Sequence, residues 1–209
     1  MKHLLRTLTF LLTLTLSSAV VAQADGDAAK YSQSYELEAR GDYAGALRSL
    51  EKMSNSAKSG YVYHLRKGWL LYLGAQHEKS VDAYKKAISE EPKAVEPLVG
   101  LMLPQMALRR WSDAVSTGEK ALKIDDRNYL AASRLAWSLY NLGRYSEAAS
   151  YYRQMVELYP SDVEMKAGLA WSLLEQGQTT AAKNYFEDVL DVAPNHSSAL
   201  QGIRQLSED

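Results

Sequence analysis

The side chains able to carry catalysis or to hold a metal are few in these 209 residues. The chain has four histidines, His3, His64, His77 and His196, and no cysteine. No thiolate is therefore available as nucleophile or soft ligand, and no disulfide can form. The histidines do not cluster, and none has a carboxylate at the spacing that turns two ligands to one face of a helix. A phosphate cradle needs a glycine-rich loop after a strand, and a hydrolase nucleophile needs a Gly-x-Ser-x-Gly elbow. Neither pattern is present, and no strand is predicted that would carry one. The acidic residues form isolated pairs only. These absences predict no catalytic residue, no metal site and no cofactor, so the expected chemistry is non-covalent binding.

A binding surface needs a framework, and the framework here repeats. Between Tyr129 and Asp162, Leu135, Ala136, Gly143, Tyr145, Ala148, Tyr152 and Pro160 set out a pattern. Apolar spacing predicts a helix from Ala131 to about Leu142 and a second from Ser146 to about Leu158. Gly143 supplies the left-handed turn between them, and Pro160 stops the pair. Equivalent residues recur one repeat on in Val163 to His196 (Leu169, Ala170, Gly177, Ala182, Phe186, Pro194) and one repeat back in Val95 to Asn128 (Leu101, Trp111, Ala114, Ala121). A further step back, Tyr61 to Ala94 keeps Gly68, Leu71, Tyr84, Ala87 and Pro92, with the turn glycine displaced to Gly74 and Ser80 in the alanine slot. The first unit, Asp27 to Gly60, keeps Gly41, Tyr43, Ala46 and Met53 but lacks the closing proline.

This register resembles the tetratricopeptide repeat superfamily over all but the first two dozen residues and the last turns. The resemblance implies an all-α, right-handed superhelical solenoid over residues 25–209. Its five helix pairs would occupy 27–60, 61–94, 95–128, 129–162 and 163–196. A capping helix follows over 197–209, where Leu200, Ile203 and Leu206 recur at helical spacing among polar residues. Because repeat stability is roughly a sum of local and neighbour contributions, the degenerate first repeat is the expected weak end.

The first 24 residues read as a secretory signal peptide: Lys2, His3 and Arg6, an apolar run from Leu8 to Leu16, then small residues up to Ala24. The run is shorter than the roughly 20 residues that span a bilayer, so cleavage after Ala24 is expected, with Ala22 the competing site. Without cysteine no lipid can be attached by thioether, and a periplasmic or secreted protein with no transmembrane segment after processing is predicted. Loss of Lys2 and Arg6 leaves 22 basic against 25 acidic residues, a net charge of about −3. Export and mild acidity argue against a nucleic-acid partner.

Three departures from the pattern stand out. Residues Ser54 to Gly60 are polar and predict a longer inter-repeat turn, with a hinge as the alternative. Pro104 falls inside a predicted helix, where it removes the bond to Gly100 and should kink the chain. Gly118 replaces the large residue found at Leu50, Tyr84, Tyr152 and Phe186; Trp111 is expected to fill part of that space, with a bend that shapes the groove as the alternative. Glu90 and Glu91 beside Lys85 and Lys86 read as a solvated outer face.

The superfamily resemblance places the second, fifth, ninth, twelfth and thirteenth residues of each unit on the concave face. The ninth and twelfth give Tyr35, Glu38, Trp69, Tyr72, Leu103, Met106, Trp137, Tyr140, Trp171 and Leu174, and all of these but Glu38 are the expected ligand-binding residues. Repeated aromatics on an accessible concave surface are where binding energy concentrates. No lysine or arginine stands at these positions, so the basic clamp by which relatives grip a chaperone's terminal carboxylate has no counterpart. An apolar or mildly basic segment suits such a groove better than an acidic tail. The expected function is a non-enzymatic scaffold of the bacterial cell envelope, binding an apolar segment of a partner protein. The alternative is a glycan-binding accessory protein of polysaccharide export or cell-wall machinery. Leu65, Leu73, Leu103, Met106, Leu130 and Leu174 disfavour that alternative, since they offer a sugar's hydroxyls nothing.

Overall fold

The computed structural model describes residues 23, 24 and 26–208. The predicted signal peptide therefore lies, apart from its last two residues, outside the described residues. All regular structure among the described residues is helical. The helices are α1 (26–39), α2 (Tyr43–Glu51), α3 (Tyr61–Leu73), α4 (His77–Glu90), α5 (Glu96–Ala107) and α6 (Trp111–Ile124), followed by α7 (Tyr129–Asn141), α8 (Tyr145–Leu158), α9 (Val163–Leu174), α10 (Thr179–Val192) and α11 (Ser197–Glu208). They form the expected five pairs and cap, distributed over two compact units that divide between Pro92 and Lys93.

In the first unit Leu50, Leu70, Ala46 and Tyr63 form the core, with Trp69 and Tyr31 against its edge. The polar stretch after Met53 closes as a short turn of 3-10 helix, Ala57–Ser59. Its start is fixed to α1, because the backbone N–H of Ser54 donates to Oδ1 of Asp27 at 2.9 Å and the Ser54 hydroxyl donates to Oδ2. The longer-turn expectation describes this segment.

In the second unit the core runs through Met102, Leu135, Leu139, Met155, Leu169, Phe186 and Val189. The cap behaves as an amphipathic edge should. Ala199 and Gly202 of α11 are buried, while Ile203 and Leu206 pack against the core from its margin. Two helix starts are set by side chains that accept otherwise orphaned backbone donors. Asn128 Oδ1 accepts from Ala131 at 3.0 Å, which starts α7 two residues before the predicted Ala131, and Asp162 Oδ1 accepts from Glu164 and Met165 ahead of α9. Helix α5 continues through the buried Pro104, whose carbonyl accepts from Leu108 at 3.0 Å.

Two expectations require correction. The turn glycine of the second repeat has not moved to Gly74, which has φ −81°. The left-handed residue is Ala75 at φ 55°, in register with Gly41, Gly143 and Gly177, and Arg109 at φ 55° does the same in the third repeat. The turn is dictated by its hydrogen bonds. Gln76 N–H donates to Leu71 O at 2.8 Å as Arg144 N–H does to Leu139 O at 3.0 Å, so whatever residue stands between must adopt positive φ. The second correction concerns Gly118. A Cβ there would meet the Met102 methyl at 2.7 Å and Leu135 Cβ at 3.1 Å, so these two side chains occupy the space assigned to Trp111.

Candidate functional site

The predicted aromatic positions have different fates in the two units. In the first, Arg66 is buried and its guanidinium pairs with the Glu38 carboxylate. Arg66 Nε donates to Ser34 Oγ at 3.2 Å, and the guanidinium carbon lies 3.7 Å over the centre of the Tyr35 ring. Trp69 Nε1 donates to Glu38 Oε1 at 2.7 Å, and Tyr72 stands 5.9 Å from the Trp69 ring. Tyr35 is exposed while Trp69 and Tyr72 are half-buried, and the Glu38 carboxylate joins Arg66 and Trp69 within the unit.

In the second unit Met106, Trp137, Tyr140 and Trp171 come together. They line a cavity of about 500 Å³ between α5, α7, α9 and α11, with Ser133, Arg134, Glu164, Ser198 and Gln201 among its polar walls. Trp137 and Tyr140, one helical turn apart on α7, stack with planes 8° apart and centroids separated by 5.8 Å. Trp137 is nevertheless 47% exposed. Trp171 is held from two sides, donating from Nε1 to Ser198 Oγ at 2.8 Å and meeting the Phe186 ring edge-on at 5.2 Å. The Tyr140 phenol is pushed up to about 12 by burial and then by the neighbouring Glu175 carboxylate, to which its hydroxyl donates at 3.5 Å. Leu103 is half-buried outside this lining. Leu174, expected on the groove, is 9% exposed and belongs to the core, because the end of α9 is covered by its own unit.

Two arginines escaped the sequence reading, Arg66 and Arg134, both at the sixth position of a repeat. Arg134 Nη1 donates to the Val99 carbonyl of α5 at 2.7 Å and forms part of the cavity wall. Their signal was in the residue one helix earlier. Where the preceding second helix carries a ring, as at Tyr152 and Phe186, the sixth position is Gly168 or Gly202, and a Cβ at either glycine would overlap that ring. Where it carries Leu50 or Gly118, the sixth position has room for an arginine.

Two of the described histidines, His64 and His196, hold helices together. His64 Nδ1 lies 2.8 Å from Glu90 Oε1, so Glu90 faces α3 and not a solvated outer surface. His196 Nδ1 accepts from the backbone N–H of Ala199 at 3.2 Å, which places its proton on Nε2, 3.2 Å from Glu164 Oε1. Among the described residues no group of three or more His, Cys, Asp or Glu is arranged to hold a metal ion. No helix among them is long and apolar enough to cross a membrane.

Two family models of the tetratricopeptide repeat match the chain, over residues 105–163 and 142–206. No curated protein matches it significantly in sequence. Among solved structures it is similar to the MamA protein, at 15% identity and a TM-score of 0.73 over 80% of this chain and 92% of that one. A tetratricopeptide repeat protein from Parabacteroides merdae superposes with a TM-score of 0.77 at 16% identity, covering 87% of this chain and 72% of that one. The MamA RS-1 ArsTM double mutant gives 0.76 at 15% identity over 83% and 98% of the two chains. At these identities the likeness establishes the fold, an all-α solenoid of repeated helix pairs.

Proposed function

Because the chain belongs to the tetratricopeptide repeat superfamily, whose repeats present surfaces to other proteins, we propose that it is a non-enzymatic interaction scaffold working in the cell envelope. The cavity of the second unit takes up an apolar segment of a partner protein. The observation that carries this reading is Trp137: a large ring stacked on Tyr140, close to half exposed, opening onto a cavity shared with Met106 and Trp171. An indole left uncovered in a concave, largely pre-formed site is the kind of anchor on which interfaces concentrate their energy. The leader-like N-terminus supports the envelope location.

A glycan is the second reading, and one observation favours it more than the sequence did. Ser133, Ser198 and Gln201 stand in the same lining as Trp137, whereas Leu103 and Leu174 do not, so hydroxyls would find partners beside a stacking ring.

Retention of envelope proteins and of cell-wall polysaccharides on the immobilised full chain separates the two. The protein reading predicts specific protein retention that falls by about 2 kcal/mol or more in Trp137→Ala/Tyr140→Ala, with helicity unchanged. Retention of polysaccharide alone, abolished by the same pair of substitutions, would transfer the site to glycan.

A further inference from the structure

We propose that the partner segment carries a lysine or arginine whose cation lies over the free face of Trp137 with Glu164 as its counter-charge, so that the cavity selects apolar segments bearing one positive side chain. This rests on the protein-binding reading and specifies what the site recognises.

The ring geometry comes first. One face of the Trp137 indole is stacked on Tyr140 and the side chain is still 47% exposed, which leaves indole surface open toward the cavity. Indole is the strongest aromatic acceptor for a cation, and the attraction grows when the pair is partly withdrawn from water.

The charges of the site point the same way. Arg134 and Glu164 are the charged residues of the lining. The Glu164 side chain is 72% exposed, so its carboxylate is accessible to an incoming group. Its neighbour His196 accepts from the Ala199 N–H at Nδ1, and its Nε2 lies 3.2 Å from Glu164 Oε1, which leaves Oε2 of the carboxylate for an incoming group. Glu175 adds a second carboxylate beside Tyr140. Burial, and after it the Glu175 carboxylate, push the Tyr140 phenol up to about 12, so negative charge stands beside the stacked pair.

Arg134 limits the choice. Its guanidinium is on the α5 wall, donating to the Val99 carbonyl, so the lining's own positive group stands on that side. A single positive charge is thus accommodated between α7 and α9, and apolar surface of the segment faces Met106 and Trp171. An acidic segment would meet Glu164 and Glu175 on entry.

A peptide library displayed on phage and selected on the full chain supplies the probes, which are then synthesised and measured by calorimetry. The expected binders share one lysine or arginine flanked by apolar residues. Replacing that lysine by norleucine weakens binding by about tenfold, within the range of a partly desolvated cation on indole. Glu164→Gln weakens the lysine peptide several-fold and leaves the norleucine peptide unchanged, and added salt does the same. Binders that depend on Trp137 but carry no basic residue, or lysine peptides indifferent to Glu164→Gln, overturn the inference alone. Absence of any binder sensitive to Trp137→Ala overturns the underlying reading of the cavity. Should Trp137→Ala lose helicity, Trp137→Leu takes its place, and the exposed Glu164→Gln provides the independent arm.

Discussion

The hydroxyl of Tyr129 donates to Oδ2 of Asp162 at 2.6 Å, while Oδ1 of the same carboxylate accepts from Glu164 and Met165 and caps α9. The first and last residues of one repeat are thereby joined through the group that starts the next. One side chain closes a helix pair, fixes the entry of α9 into the cavity wall and holds Glu164 in the first turn of that helix.

This bond makes stability depend on alkaline pH. The Tyr129 phenol is pushed up to about 12, first by burial and then by the hydrogen bond to Asp162. A tyrosine in the unfolded chain ionises near about 10, so the folded state binds the proton more tightly. The stabilisation is complete below the unfolded value and is lost as pH rises through the folded one. Urea unfolding at about pH 9 and about pH 11.5 should show a larger loss for the native chain than for Tyr129→Phe. Parallel losses would remove Tyr129 from the account.

The two left-handed residues without a glycine offer a gain. Ala75 and Arg109 sit at φ 55°, where a Cβ meets the following carbonyl. Ala75→Gly and Arg109→Gly are each expected to stabilise by about 0.5–1 kcal/mol, the relief of strain exceeding the entropy of glycine. Gly143→Ala, at φ 75°, should cost about 1 kcal/mol or more. Denaturant midpoints at unchanged slope are the readout.

The ring-over-glycine contact is equally testable. Gly168→Ala drives a methyl into the Tyr152 ring and should cost about 1–3 kcal/mol. Tyr152→Leu in the same chain should recover part of that loss, because the smaller side chain frees the space the methyl needs. Equal costs in the presence and absence of Tyr152→Leu would show that the ring is not the obstacle.

The order of helices was legible because the small, large and turn residues recur in register from Asp27 to His196, and such a period admits few other folds. The left-handed turns at Ala75 and Arg109 were not, since hydrogen bonds across the turn set that conformation and the residue type only tolerates it. Register alone placed Trp137 and Tyr140 on one face, where they stack in a common cavity lining. Leu174 was misplaced because register says which side of a helix a residue occupies and not whether the end of that helix is covered. Arg134 was readable in principle from Gly118, but its meaning depends on knowing that a ring at that position lies against the next helix. His64 and Glu90 are far apart in sequence, and only the antiparallel pairing of α3 with α4 brings them together.

The central claim is that partners are bound in the cavity around Trp137. A photo-reactive residue introduced at Ser133, in the cavity lining, and separately at Ser150, exposed on α8 and outside that lining, tests it most directly in cells. Discrete protein adducts are expected from position 133, none of them from position 150, with their loss when Trp137→Ala is added to a chain of unchanged helicity. Equal adducts from both positions, or adducts at 133 that persist in Trp137→Ala, would contradict it.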